Sequence, residues 1–237
     1  MFFVIYGKVV GFVEESEKLK AEALRYLGYK DQQIDEITEG QLVNALKEIK
    51  EIKQTKITYK FMDLVQENDE VGFVQSNFKL PGKDIKEHLK NSKSALLMAV
   101  TLGHEVDKRI RYYEKVDLTK ALILDACATA TIEGDCDDLC EDLEAELAKE
   151  NRRLTFRYSP GYGDLPISVQ GAFLATLDAS KNIGLTATST NILIPRKSVT
   201  AIAGVIDIKR KLRARSCANC TNFVTCSFKK GDVSCGL

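Results

Sequence analysis

Ser94-Ala95-Leu96-Leu97-Met98-Ala99-Val100-Thr101-Leu102 is a near-continuous apolar run of strand length, closed by Gly103. A strand with one wet face alternates apolar and polar residues. A run without alternation fits a central strand buried on both faces. Strands with a different pattern flank it. Ile57, Tyr59 and Phe61 alternate with polar or solvent-tolerant residues, and Val71, Phe73 and Val74 mark a second strand. Val199, Ala201, Ala203 and Val205 alternate with Thr200, Ile202, Gly204 and Ile206. Strands and helical patterns follow one another without strict alternation, so the expected class is α+β rather than a doubly wound sheet.

The helical patterns fill the gaps. Glu14 to Leu27 reads as a helix closed by Gly28. Ile34, Ile37, Val43, Leu46 and Ile49 mark a second amphipathic helix. Pro81-Gly82 is a turn, Ile85 to Leu89 a short helix, and Asp107 to Tyr113 another. Asp117 can cap a long helix running to about Asn151, with Cys136, Leu139, Cys140, Leu143 and Leu147 on one face. Pro166 is placed to start the next helix and Gly184 to end it. Met1 to Tyr6 reads as a strand turning through Gly7 and Lys8 into Val9.

The chain of 237 residues suits one large domain, or one domain with a small appendage. Composition shifts at Lys209, which sets a 1–208 domain against a basic, Cys-rich tail at 209–237. The 34 basic and 34 acidic side chains balance, so nothing global favours nucleic acid. No segment has the length and apolarity of a membrane span. Seven cysteines, an odd number without a secretory leader, point to a reducing cytoplasm and against a disulfide framework. Cys127, Cys136 and Cys140 read as small core residues, with redox roles as the other reading. His88 and His104 are the only histidines and share no ligand spacing.

Chemistry concentrates in Arg157-Tyr158-Ser159-Pro160-Gly161-Tyr162-Gly163-Asp164-Leu165-Pro166. Glycine admits close backbone approach, and proline lowers the entropy lost on binding. The arginine fork matches a carboxylate, and a tyrosine face can meet a cation or an adenine. The set suits a ligand carrying both a carboxylate and a positive centre. The competing reading is an ordinary Pro-Gly turn with Arg157 in a surface ion pair.

Arg157-x-x-Pro160-Gly161-Tyr162 followed by a helix resembles the S-adenosylmethionine-binding loop of the activation domain of cobalamin-dependent methionine synthase. Ile183-Gly184 and then Leu193 to Ala201 resemble the family's next landmarks, at a spacing that fits to within about one residue. Leu24 to Tyr29 and Ala99 to Gly103 resemble its short, stand-alone versions. The resemblance implies a curved, mainly antiparallel sheet flanked by helices. It implies that Arg157 holds the ligand carboxylate, that Pro160 and Gly161 shape the loop, and that Tyr162 packs on the ligand. Glu133 falls near the family's ligand glutamate and would pair with ammonium or sulfonium. A solvated helix glutamate is the alternative. It further implies a partner's cobalamin, on methionine synthase or a related corrinoid methyltransferase, and a flavodoxin- or ferredoxin-like electron donor. The chain departs from the longer enzymes at Ser189, where they carry an acidic residue. It also lacks their tyrosine pair beyond the Ser198-Val199 strand.

The tail carries Cys217, Cys220, Cys226 and Cys235. Four thiolates in so short a span suit zinc or an iron–sulfur cluster, or else form an exposed tail without metal. Lys209, Arg210, Lys211, Arg213 and Arg215 are a solvated element end or a docking patch for an acidic donor. Reactivation of a partner's cobalamin is the first functional expectation. An independent methyltransferase is another, though no Gly-x-Gly motif opens a doubly wound domain. A metal or iron–sulfur electron-transfer protein is the third.

Overall fold

The computed structural model describes residues 12–29, 32–66 and 70–210. The expected N-terminal strand and turn, and the Cys-rich tail with its four candidate ligands, lie outside these residues. The elements in order are α1 (Phe12–Tyr26), α2 (Glu36–Ile52), β1 (Lys56–Gln66), β2 (Glu70–Phe73), β3 (Lys79–Pro81), α3 (Lys83–Leu89) and β4 (Ser94–Thr101). Then come α4 (His104–Val116), α5 (Leu118–Ala148), β5 (Arg152–Leu154), α6 (Gln170–Thr176), α7 (Ala179–Ile183), β6 (Thr186–Ala187), β7 (Leu193–Ile194) and β8 (Ser198–Asp207). The fold is α+β, as the element order implies.

Six strands form one open sheet in the order β3-β2-β1-β4-β8-β5, every neighbouring pair antiparallel. β4 lies inside it, bonded to β1 through Tyr59↔Met98 and to β8 through Met98↔Ala201. Its two faces serve two cores. Leu96, Met98 and Val100 pack under α1, α2, α4 and α5 with Ile49, Leu124 and Ala128. Ala95, Leu97 and Ala99 pack on the other side with Ile85, Leu89, Phe173 and Ile183, from α3, α6 and α7. Both faces being dry explains why the run Ser94 to Leu102 does not alternate. Small β6 and β7 pair separately as a two-stranded ribbon.

Helix α5, of 31 residues, is the long helix expected after Asp117. The Asp117 side chain accepts from Lys120 N at 3.0 Å and caps it. Cys136, Leu139, Leu143 and Leu147 lie buried along its length. Asp35 caps α2 in the same way, accepting from Thr38 N at 2.7 Å. The helix expected between Pro166 and Gly184 is instead broken. A 3₁₀ turn at Ile167–Val169 leads into α6, and Asp178, at φ 48°, separates α6 from α7. An aspartate tolerates the left-handed conformation that such a break requires. Gly184 does end α7, at φ 70°.

Gly204 on β8 faces a tight neighbour. A Cβ there would meet Ser92 Oγ at 2.1 Å, Ser92 Cβ at 3.0 Å and Leu89 Cδ2 at 3.1 Å. Overpacking a rigid strand against buried neighbours is destabilising. Gly204→Ala is expected to lower stability by roughly 1–3 kcal/mol in urea titration. A midpoint equal to that of the unmodified chain would show that Ser92 can move aside.

Candidate functional site

Arg157 is placed by a bulge. β5 pairs with β8 through Leu154↔Val205, and the chain meets β8 again at the isolated bridge Tyr158↔Ile202. Four residue steps on this strand therefore oppose three on β8, so one residue is extra. The faces show the consequence. Leu154 packs in the core beneath α5, whereas Phe156 and Tyr158 pack in the core on the other side. Arg157 then points back to α5. Without the extra residue, strict alternation from Leu154 would send position 157 to the far side of the sheet.

Thr155 seals the bulge. Its N–H donates to Gly204 O at 2.8 Å, and its hydroxyl accepts from Gly204 N at 2.8 Å. The same hydroxyl lies 3.0 Å from His88 Nε2. His88, to which the sequence assigns no role, is buried and lies against Phe156, with ring centroids 4.2 Å apart and the planes tilted by 49°. Beyond the bulge, Tyr158 N donates to Ile202 O at 2.8 Å and Ile202 N to Tyr158 O at 2.9 Å.

The arginine side chain is only 8% exposed and is paired with two carboxylates of α5. Its Nη2 donates to Glu133 Oε2 at 2.7 Å and its Nη1 to Asp137 Oδ1 at 2.8 Å. This is a partly buried triad rather than the surface pair of the competing reading. Burial disfavours the charged guanidinium, but Cys136, Asp137 and Glu133 outweigh it and push the arginine above its ordinary pKa. Burial also drives the Cys136 thiol well up, so that thiol is neutral and the two carboxylates carry the effect. Cys127, Cys136 and Cys140 carry free thiols, and Cys127 is pushed up to about 12 by burial. These are core residues by placement.

The rest of the loop is held from below. Asp164 accepts from Lys83 N at 2.6 Å and Asp84 N at 3.1 Å. It thereby caps α3, whose own N-cap Gly82 has no side chain to do so. Tyr158 Oη donates to Tyr162 O at 3.1 Å. A Cβ on Gly163, at φ 50°, would meet that hydroxyl at 2.2 Å, so glycine is required there. Pro160 is buried, while Gly161 and Tyr162 face solvent, Tyr162 at 46% exposure. The N–H groups of Gly161 and Tyr162 are spent inside the loop, on Leu165 O and Ser159 O. The outward face of the loop, Gly161 to Asp164, thus includes the Tyr162 ring and the Gly161 backbone edge.

A second segment meets the same helix. Buried Asp107 on α4 accepts from Arg196 N at 2.5 Å and Lys197 N at 3.2 Å. Lys197 Nζ then reaches Asp125 Oδ1 and Thr129 Oγ1, both at 2.8 Å. Asp125, Thr129, Glu133 and Asp137 follow one another at four-residue intervals and so share one stripe of α5. The structure brings Arg157, Glu133 and both segments to that stripe, with Pro160, Gly161 and Tyr162 on the adjoining loop. The Tyr26 phenol, at the end of α1, is pushed up to about 12 by burial and by the Glu133 charge. The sequence reading missed Asp137, Asp164, Thr155 and Lys197. The four-residue spacing along α5 was a readable signal for Asp137; the bulge left none.

Among the described residues, no group of three or more His, Cys, Asp and Glu side chains could hold a metal ion. No described helix is long and apolar enough to cross a membrane.

No family model matches the sequence, and no curated protein matches it. Solved structures do match. The chain is similar to the crystal structure of the MetH reactivation domain bound to AdoHcy, with a TM-score of 0.64 over 91% of this chain and 81% of that one. Sequence identity is 13%, so the likeness establishes a common fold. The resemblance to the activation domain of cobalamin-dependent methionine synthase therefore holds at the level of architecture.

Thr155→Val keeps the volume of the bulge but removes the acceptor for Gly204 N–H. A buried donor left unpaired costs about 1–3 kcal/mol. Urea titration should show a loss in that range. A stable variant whose Gly204 amide is still protected from hydrogen exchange would overturn this account of the bulge.

Proposed function

We propose that this chain binds S-adenosylmethionine along the α5 stripe, between the Arg157–Pro166 loop and the Pro195–Ala201 segment, and presents it to a corrinoid carried by a partner protein. The observation that carries the reading is the placement of Arg157. A bulge turns this cation across the sheet to meet Glu133, at the root of a pinned Pro-Gly loop. A similar fold is known with AdoHcy bound. That ligand differs from S-adenosylmethionine by one methyl group.

Within this reading each residue has a task. Arg157 takes the ligand carboxylate, because a planar fork pairs with it through two parallel hydrogen bonds. Glu133 takes the ammonium or the sulfonium. Tyr162, already exposed, lies against the adenosine, and the Gly161 edge lets the ligand approach the backbone. Pro160 and the Asp164 clamp keep the loop in one conformation, so less ordering entropy is lost on binding. The partner's corrinoid supplies the methyl-accepting metal centre once it is reduced. This chain contributes position and electrostatics.

The partner is methionine synthase or a related corrinoid methyltransferase, and the outcome is reductive remethylation of its cofactor. The electron comes from a flavodoxin- or ferredoxin-like donor, for which the basic run opening at Lys209 and Arg210 is the docking candidate. A reducing, cytoplasmic setting belongs to the same reading.

Titration calorimetry tests it. The unmodified chain is expected to bind S-adenosylmethionine, and Arg157→Ala to weaken that binding by roughly tenfold or more, since a charge-assisted bidentate contact is lost. Equal affinity in the two proteins would refute the assignment of Arg157.

A further inference from the structure

We infer that Asp137 is a latch on the ligand fork: it competes with a ligand carboxylate for Arg157, and it turns aside when such a ligand binds. The inference rests on the proposed S-adenosylmethionine site and deepens it.

Three observations lead there. First, both terminal nitrogens of Arg157 already donate once, Nη1 to Asp137 at 2.8 Å and Nη2 to Glu133 at 2.7 Å. Further N–H groups remain on the guanidinium, but a ligand carboxylate that draws on these two nitrogens meets the like charge of Asp137 already seated on Nη1. Second, the backbone on either side of the arginine is held, by Thr155 bonded to Gly204 and by the Tyr158–Ile202 bridge. The guanidinium is therefore presented to α5 from a fixed root, and the exchange is one among its acceptors. Third, the two acceptors differ in their access to water. The Asp137 side chain is 35% exposed and that of Glu133 17%. Releasing a carboxylate that already touches solvent costs less than stranding a more buried one.

The order of exchange follows. Asp137 turns out to water, the incoming carboxylate replaces it on Nη1, and Glu133 stays to meet the ligand's positive group. Asp137 exchanges its ion pair for water, while Arg157 and the more buried Glu133 keep partners. Selectivity follows as well. A ligand with the same adenosine and ammonium but no carboxylate cannot take over the Asp137 position, so the latch stays shut on it. The site thereby favours an intact α-amino acid head.

The test is a matched pair of ligands. S-adenosylhomocysteine and its decarboxylated analogue differ only in the carboxylate. Each is titrated calorimetrically into the unmodified chain, Asp137→Ala and Asp137→Asn, with thermal unfolding used to confirm that the variants fold. Losing an exposed competitor should tighten S-adenosylhomocysteine by roughly three- to tenfold in both variants, the size expected for a partly exposed ion pair. Binding of the decarboxylated analogue should not change. Equal or weaker S-adenosylhomocysteine binding in the variants would overturn the latch, and so would an equal gain for both ligands. Failure of all three proteins to bind either S-adenosylmethionine or S-adenosylhomocysteine would instead remove the proposed site, and the latch with it.

Discussion

A largely buried arginine has to be paired, and much of this structure is arranged around that requirement. Arg157 lies with its guanidinium between two carboxylates of one helix, and its backbone is stitched to the sheet. Removing water from a charge is costly unless hydrogen bonds replace the water. The pairing therefore ties the loop, β8 and α5 into a single unit. The loop cannot drift from the helix without exposing an unpaired carboxylate or stranding a cation. The proposed role needs this rigidity, because a ligand offered to a partner's cofactor has to be held still.

The scaffold beneath serves the same end. β8 carries small residues toward α5, with Ala201 and Ala203 fully buried. Small side chains let a long helix settle close to the sheet, within reach of groups from the sheet's edge. Lys197 meets the stripe at Asp125 and Thr129, and Arg157 meets it further along at Glu133 and Asp137. Each is anchored through its backbone, by Asp107 in one case and by Thr155 in the other. Two loops distant in sequence thus read successive turns of one helix. Asp164 couples the tip of the loop to α3, so the opposite face of the sheet also takes part.

Much of this was legible in the residues. The double-sided burial of Ser94 to Leu102, the capping role of Asp117 and the stop at Gly184 follow from local chemistry. An apolar run without alternation, a carboxylate before a helix and a glycine at positive φ each have few alternatives. The broken helix after Pro166 was not legible, because a single aspartate in a left-handed conformation leaves no mark on the hydrophobic pattern. The loop around Arg157 announced itself by its residue types, although the fold gives some of them structural tasks: Gly163 makes room for the Tyr158 hydroxyl and Asp164 caps α3.

Composition and spacing thus set the α+β class, most of the elements and the loop where chemistry concentrates. These depend on interactions within a few residues, and such interactions are written in the order of the chain. The partners of Arg157 depend on a register shift of one residue between β5 and β8, and on which stripe of α5 lies opposite. A one-residue slip turns a side chain to the other face of a sheet. No local pattern encodes that slip. It exists only when the two strands are side by side, so the triad with Glu133 and Asp137 belongs to the folded protein.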